Sequence, residues 1–180
     1  MRGIVFTEFL EMVEDRFSPE MVDDLIDSSD LPSGGVYTAL GTYDHQEMLT
    51  LTGKLSEKTE TPVPALLITF GEHLFGRFSV LYPHVFEGIG SVFEFLKKLD
   101  AYIHVEVRKL YPDAELPVFT YDDSVDGQLV MTYRSTRPLG DLAEGLMAGC
   151  IAHYDEKIDV ERENVPDDEQ TCVRFTLTRR

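Results

Sequence analysis

The hydrophobic period of this chain changes from helical towards alternation near Leu116, and that change limits the folds open to it. Before it, apolar residues recur at helical spacing. Val5, Phe9 and Met12 stand beside Phe6, Leu10 and Val13, and Leu66, Phe70, Leu74 and Phe78 recur at every fourth position. Beyond it, VFTYDDSVDGQLVMTYRST reads as two strands around a polar turn at Asp126-Gly127. Two further strands, Lys157 to Arg162 and Thr171 to Thr178, flank the acidic turn ENVPDDEQ. Helices gathered first and strands gathered later predict an α+β fold, not an alternating βαβ one: a helical N-terminal lobe followed by an antiparallel β-sheet with packed helices.

Capping and breaking residues divide the helical part. Ser18 before Pro19 reads as an N-cap opening a helix through about Ile26, and DLPSGG, residues 30–35, as a loop. Residues 44–58 form the next expected helix, with TETPVP, residues 59–64, as its terminator. Pro83 stops the Leu66 to Phe78 pattern. Ser91 and Glu94 then make a capping box after Gly88 and Gly90, opening a helix with Phe93, Leu96, Ile103, Val107 and Leu110 on its apolar face and ending before Pro112. Pro138 is expected to open a last helix striped by Leu142, Leu146 and Cys150. At 180 residues the chain suits a single domain, with approximate sub-lobes 1–85 and 86–180.

Charge narrows the function. With 16 basic and 33 acidic residues the net charge is −17, the wrong sign for unassisted binding to nucleic acid or anionic membrane. No apolar run approaches the roughly 18 residues of a spanning helix. Acids interrupt MRGIVFTEFLEMVED where a signal peptide needs an unbroken apolar core, so the expected location is cytoplasmic. Cys150 and Cys172 lack CxxC spacing and read as reduced thiols. Asp23, Asp24, Asp27 and Asp30 read as a solvated face. Asp122, Asp123 and Asp126 read as turn chemistry without calcium-loop spacing, and His45 and His84 as surface or loop residues.

Two features carry chemistry. In YRSTR, Tyr133, Ser135 and Arg137 occupy alternate positions, so an extended run points three donors from one face within about 14 Å. Such a face suits an anion. About thirty residues upstream, His104 lies at the edge of a helical apolar face, one turn after Asp100 and with no second ligand nearby. A donor comb for carboxylates and a lone imidazole together suggest haem, propionates on the comb and iron on the histidine. Each piece alone has a plainer reading: a strand whose Arg137 faces solvent, and a helical histidine that binds nothing.

With MRGIVFTEFLEMVE at the start, the histidine of YIHVEVRKLYPDAELP and YRSTR followed by AEGL, the chain resembles the H-NOX family of haem-nitric-oxide/oxygen-binding domains nearly end to end. The resemblance implies haem b between the two lobes, His104 as proximal iron ligand, and Tyr133, Ser135 and Arg137 on the propionates. It also implies that Pro117 presses on the porphyrin and that Val5, Phe9, Leu74 and Phe78 line the pocket. From the residues alone, Pro117 is only a chain redirector and the other four are core residues.

Family members that hold dioxygen carry a tyrosine five residues after the motif arginine, aided by a polar pair. Here that position is Leu142, and the helper positions are Phe9 and Leu74. The resemblance therefore implies a sensor, not an enzyme, that binds nitric oxide, takes carbon monoxide more weakly and excludes dioxygen. The resemblance further implies that His104 lets go when nitric oxide binds and that the effector is a histidine kinase or a diguanylate cyclase or phosphodiesterase. Three other readings compete. A haem peroxidase needs a distal acid or base, and His73 should point about 100° away from Leu74. A thiol or zinc switch could use Cys172, or Cys150 with His153 three residues on. The last is a haem-independent interaction module for the same kind of effector.

Overall fold

The computed structural model describes residues 1–100, 104, 105, 108 and 115–180. Helices α1 (Gly3–Arg16), α2 (Pro19–Asp27), α3 (His45–Thr59) and α4 (Val63–Leu81) come first, then a 3-10 turn, Pro83–Val85, and the short α5 (Val92–Lys97). Strands β1 (Val118–Asp122) and β2 (Gln128–Ser135) precede α6 (Gly140–Tyr154), and β3 (Ile158–Val165) and β4 (Thr171–Arg179) close the fold. The sheet is antiparallel in the order β1-β2-β4-β3. The expected α+β architecture is what the chain adopts.

Local chemistry explains most boundaries. The Ser18 hydroxyl accepts from the Met21 N–H and Pro19 takes the first turn, as expected. Ser91 likewise accepts from the Glu94 N–H at 3.3 Å, while Glu94 reaches back to the N–H of Gly90 at 3.0 Å. Gly127 adopts φ 73° at the β1–β2 turn, a conformation that favours glycine.

Some boundaries move. Pro64 lies in the first turn of α4, because a proline there has no N–H to leave unpaired. Pro138 does not open α6, which starts at Gly140; the Leu139 N–H is already bonded to the Arg137 carbonyl. Strand β3 runs on to Val165, paired with Cys172. His45 is the first residue of α3, not a loop residue, whereas His84 is exposed in the 3-10 turn. His104, Val105 and Arg108 are helical, while Ile103, Val107, Leu110 and Pro112 lie outside the described residues.

Two apolar clusters organise the molecule. The first gathers α1 to α4 with Leu139 and Leu142, and the second gathers the sheet with Phe75, Val92, Phe95, Leu96, Met147 and Cys150. Helices α4 and α6 belong to both, since Leu74 and Leu142 face the first cluster while Phe75 and Met147 face the second. Glycine permits their close approach. A Cβ on Gly71 would sit 2.5 Å from the Leu142 carbonyl oxygen, and one on Gly145 would sit 2.0 Å from that of Ile68. Among the described residues no helix is long and apolar enough to cross a membrane.

Candidate functional site

His104 is buried, with 9% of its surface exposed. It stands four residues after Asp100, and its Nδ1 lies 2.6 Å from Asp100 Oδ1. With Nδ1–H donating to the carboxylate, the lone pair stands on Nε2, the tautomer a metal ligand needs. Burial pushes the imidazole below the usual histidine range, and the Asp100 hydrogen bond and charge pull the other way. The neutral ring is therefore favoured. The other Asp100 oxygen accepts from the backbone N–H of Phe119 at 2.6 Å, and the Phe119 ring lies 5.8 Å from the imidazole.

Tyr133 and Ser135 sit on β2, two residues apart and on one face as alternation requires. Tyr133 is buried, and burial raises its phenol pKa against the opposing effects of the Ser135 hydroxyl and the Arg137 charge. Arg137 departs from the expected extended comb. Strand β2 ends at Ser135, and the chain bends at 136 and 137. The Ser135 hydroxyl accepts from the Arg137 N–H at 3.1 Å, and the Tyr133 hydroxyl lies 3.5 Å from the Arg137 carbonyl. A corner thus replaces the comb, but it still brings the three residues together.

The Arg137 fork is already engaged. Nη2 lies 2.7 Å from a carboxylate oxygen of Glu115, and Nη1 donates to the Glu115 carbonyl at 3.1 Å. Its Nε is buried without a hydrogen-bond partner among the described residues. Burial and then the Arg137 charge push the Met1 ammonium below the usual amine range. Glu115 carries no signal in sequence, standing 22 residues from Arg137. Asp100 carries one, its helical spacing from His104.

The expected pocket residues come together on the helical side. Phe9, Leu74 and Leu142 are buried in the first cluster, with Val5 and Phe78 half-buried against it. Phe9 meets the edge of Phe70 at a 5.2 Å centroid distance. Pro117 is half-buried, one residue before β1. His73 belongs elsewhere: its Nε2 lies 3.6 Å from Glu8, a buried carboxylate that also accepts from Arg77 Nε at 2.7 Å. It ties α4 to α1.

The suggested thiol and zinc ligands pack among apolar neighbours. Cys150 is fully buried, Cys172 is buried, and the His153 ring packs against Phe75, Phe86 and Tyr154. Among the described residues no three histidine, cysteine or acidic side chains are grouped to hold a metal ion. Burial pushes the Cys150 thiol well above the usual range. Accordingly, Cys150 is expected to resist a thiol reagent in native buffer and to react at once in denaturant. Mass-spectrometric mapping of labelled peptides checks this, and rapid native labelling of Cys150 would contradict its burial.

Solved structures with this architecture define the class, haem-dependent gas-sensing domains. The Fe(II) unliganded H-NOX protein of K. algicida is 40% identical, with a TM-score of 0.93 over 100% of this chain and 97% of that one. The H-NOX of Shewanella woodyi, solved in its Fe(II)CO state, is 43% identical, with a TM-score of 0.84 over 100% of this chain and 95% of that one. An Fe(II)NO H-NOX protein from S. oneidensis, at 22% identity and a TM-score of 0.91 over 100% of this chain and 99% of that one, shares the fold. No curated protein is significantly similar to the chain. The haem-NO-binding family model matches residues 2–162, and the chain belongs to that family, the H-NOX haem-based gas sensors.

Proposed function

We propose that the chain is a single H-NOX domain that senses nitric oxide at ferrous haem b held by His104. The observation that carries the reading is His104 itself: a buried helical histidine whose Nδ1 is committed to a carboxylate and whose Nε2 is left as the ligating atom. The corner at the end of β2 fits the cofactor's carboxylates, because the Tyr133 and Ser135 hydroxyls adjoin a largely buried guanidinium whose Nε is unpartnered among the described residues. Pro117 would bear on the ring, and Val5, Phe9, Leu74, Phe78 and Leu142 would wall the pocket. Bound haem supplies the ferrous iron that takes up the gas.

Selectivity follows from what the pocket walls offer. Phe9, Leu74 and Leu142 present hydrocarbon and no hydrogen-bond donor, so stabilisation of bound dioxygen is absent. Nitric oxide needs no such donor, and carbon monoxide competes more weakly. On nitric oxide binding His104 would release the iron and the helical lobe would shift against the sheet, a two-state change biased by the gas. The domain is not an enzyme. It passes the signal to a separate cytoplasmic protein, a histidine kinase or a diguanylate cyclase or phosphodiesterase.

The ultraviolet-visible spectrum of the reduced, haem-loaded protein under argon, then air, then nitric oxide tests the reading. A histidine-ligated five-coordinate spectrum, unchanged by brief air and converted by nitric oxide to a species without the histidine bond, is expected. Stable oxygenation would overturn the selectivity, and a retained histidine bond would overturn the release. Leu142→Tyr places a hydroxyl among these apolar walls and is expected to introduce measurable dioxygen binding, checked by the same titration.

A further inference from the structure

The geometry points to Asp100 as the positioning residue of the histidine side of the site: one carboxylate that orients His104 and fastens it to strand β1. This inference rests on the reading of His104 as the iron ligand. Oδ1 lies 2.6 Å from His104 Nδ1, and Oδ2 accepts from the Phe119 N–H at 2.6 Å. Both contacts join an ionised acceptor to an N–H donor, which makes them stronger than neutral hydrogen bonds. The first fixes which ring nitrogen carries the proton and the angle at which the ring is presented. The second anchors the same carboxylate to the backbone of an edge strand, since among the described residues β1 pairs only with β2.

The anchoring point matters as much as the histidine. Phe119 lies opposite Tyr133 in the β1–β2 register, with rings 5.7 Å apart, and its ring is 5.8 Å from that of His104. Asp100 therefore grips the strand at the residue that separates the histidine from the first member of the Tyr133, Ser135 and Arg137 corner. Pro117 is two residues away on the same backbone. An imidazole freed from iron remains tied through Asp100 to β1, so its displacement is delivered to the sheet and not lost in local rotation. The carboxylate is needed because it accepts from both donors at once. An amide oxygen can serve one of them, but the NH2 group then meets the other, donor against donor.

The test uses the haem-loaded ferrous protein, Asp100→Asn and Asp100→Leu. Three readouts are compared: the iron–histidine stretching frequency by resonance Raman, the rate of haem transfer to excess apomyoglobin, and hydrogen exchange at the Phe119 amide. Loss of a partner beyond the ligand typically weakens metal binding ~10–100-fold, so haem loss is expected to quicken by about tenfold or more in both variants. The stretching band should move to lower frequency and the Phe119 amide should lose protection. Asp100→Asn is close in shape and carries the test if Asp100→Leu fails to fold. An unchanged band with unchanged haem loss overturns the proposal, even if Phe119 exchange rises, because Asp100 would then only cap the strand. Failure of the underlying reading looks different: a His104→Gly protein would keep the wild-type band.

Discussion

His104→Gly is expected to abolish stable haem retention, and free imidazole in the buffer to restore it. The imidazole bonded to Asp100 disappears, and glycine leaves a buried space of ring size beside Phe119. An added imidazole can occupy that space, donate to the Asp100 carboxylate and offer its other nitrogen to iron. The predicted spectrum without imidazole lacks the histidine-ligated ferrous band, and the predicted spectrum with it regains that band. Circular dichroism should show the fold little altered, since the sheet and the two apolar clusters do not depend on the ring. Unassisted haem binding at wild-type affinity would mean that another group holds the iron.

Gly145→Ala should produce a large loss of stability. The new Cβ would lie 2.0 Å from the Ile68 carbonyl oxygen and 2.8 Å from Ile68 Cα, both backbone atoms that no rotamer change can move. Helices α4 and α6 must separate, and because both clusters share these helices the cost reaches both. Overpacking of this kind costs about 3 kcal/mol at the upper end of its common range. For a chain of this length that lowers the melting temperature by about 6–12 °C. A control at Gly53, where an added Cβ meets nothing within 4 Å, should be neutral or slightly stabilising because alanine favours a helix. Calorimetry of the two variants checks both; equal melting temperatures would refute the close-approach argument.

The legible part of this protein was local. Spacing of Leu66, Phe70 and Leu74 placed a buried helix, Ser18-Pro19 and Ser91 placed helix starts, Asp126-Gly127 placed a hairpin turn, and alternation placed Tyr133 and Ser135 on one face. These follow from contacts within a few residues, which the chain carries wherever it goes. The same logic failed at Arg137, because strand pairing stops at Ser135 and the chain turns toward α6.

Pairings across long separations were not legible. Glu115 on the Arg137 fork, Glu8 between His73 and Arg77, and the Gly145 backbone against Ile68 each depend on how two distant elements pack. By itself the sequence determined the element types, their order and the presence of a lone helical histidine one turn from an aspartate. Only the tertiary structure decided that this aspartate also holds strand β1, because a carboxylate's second acceptor site is taken by whichever donor the packing brings within reach.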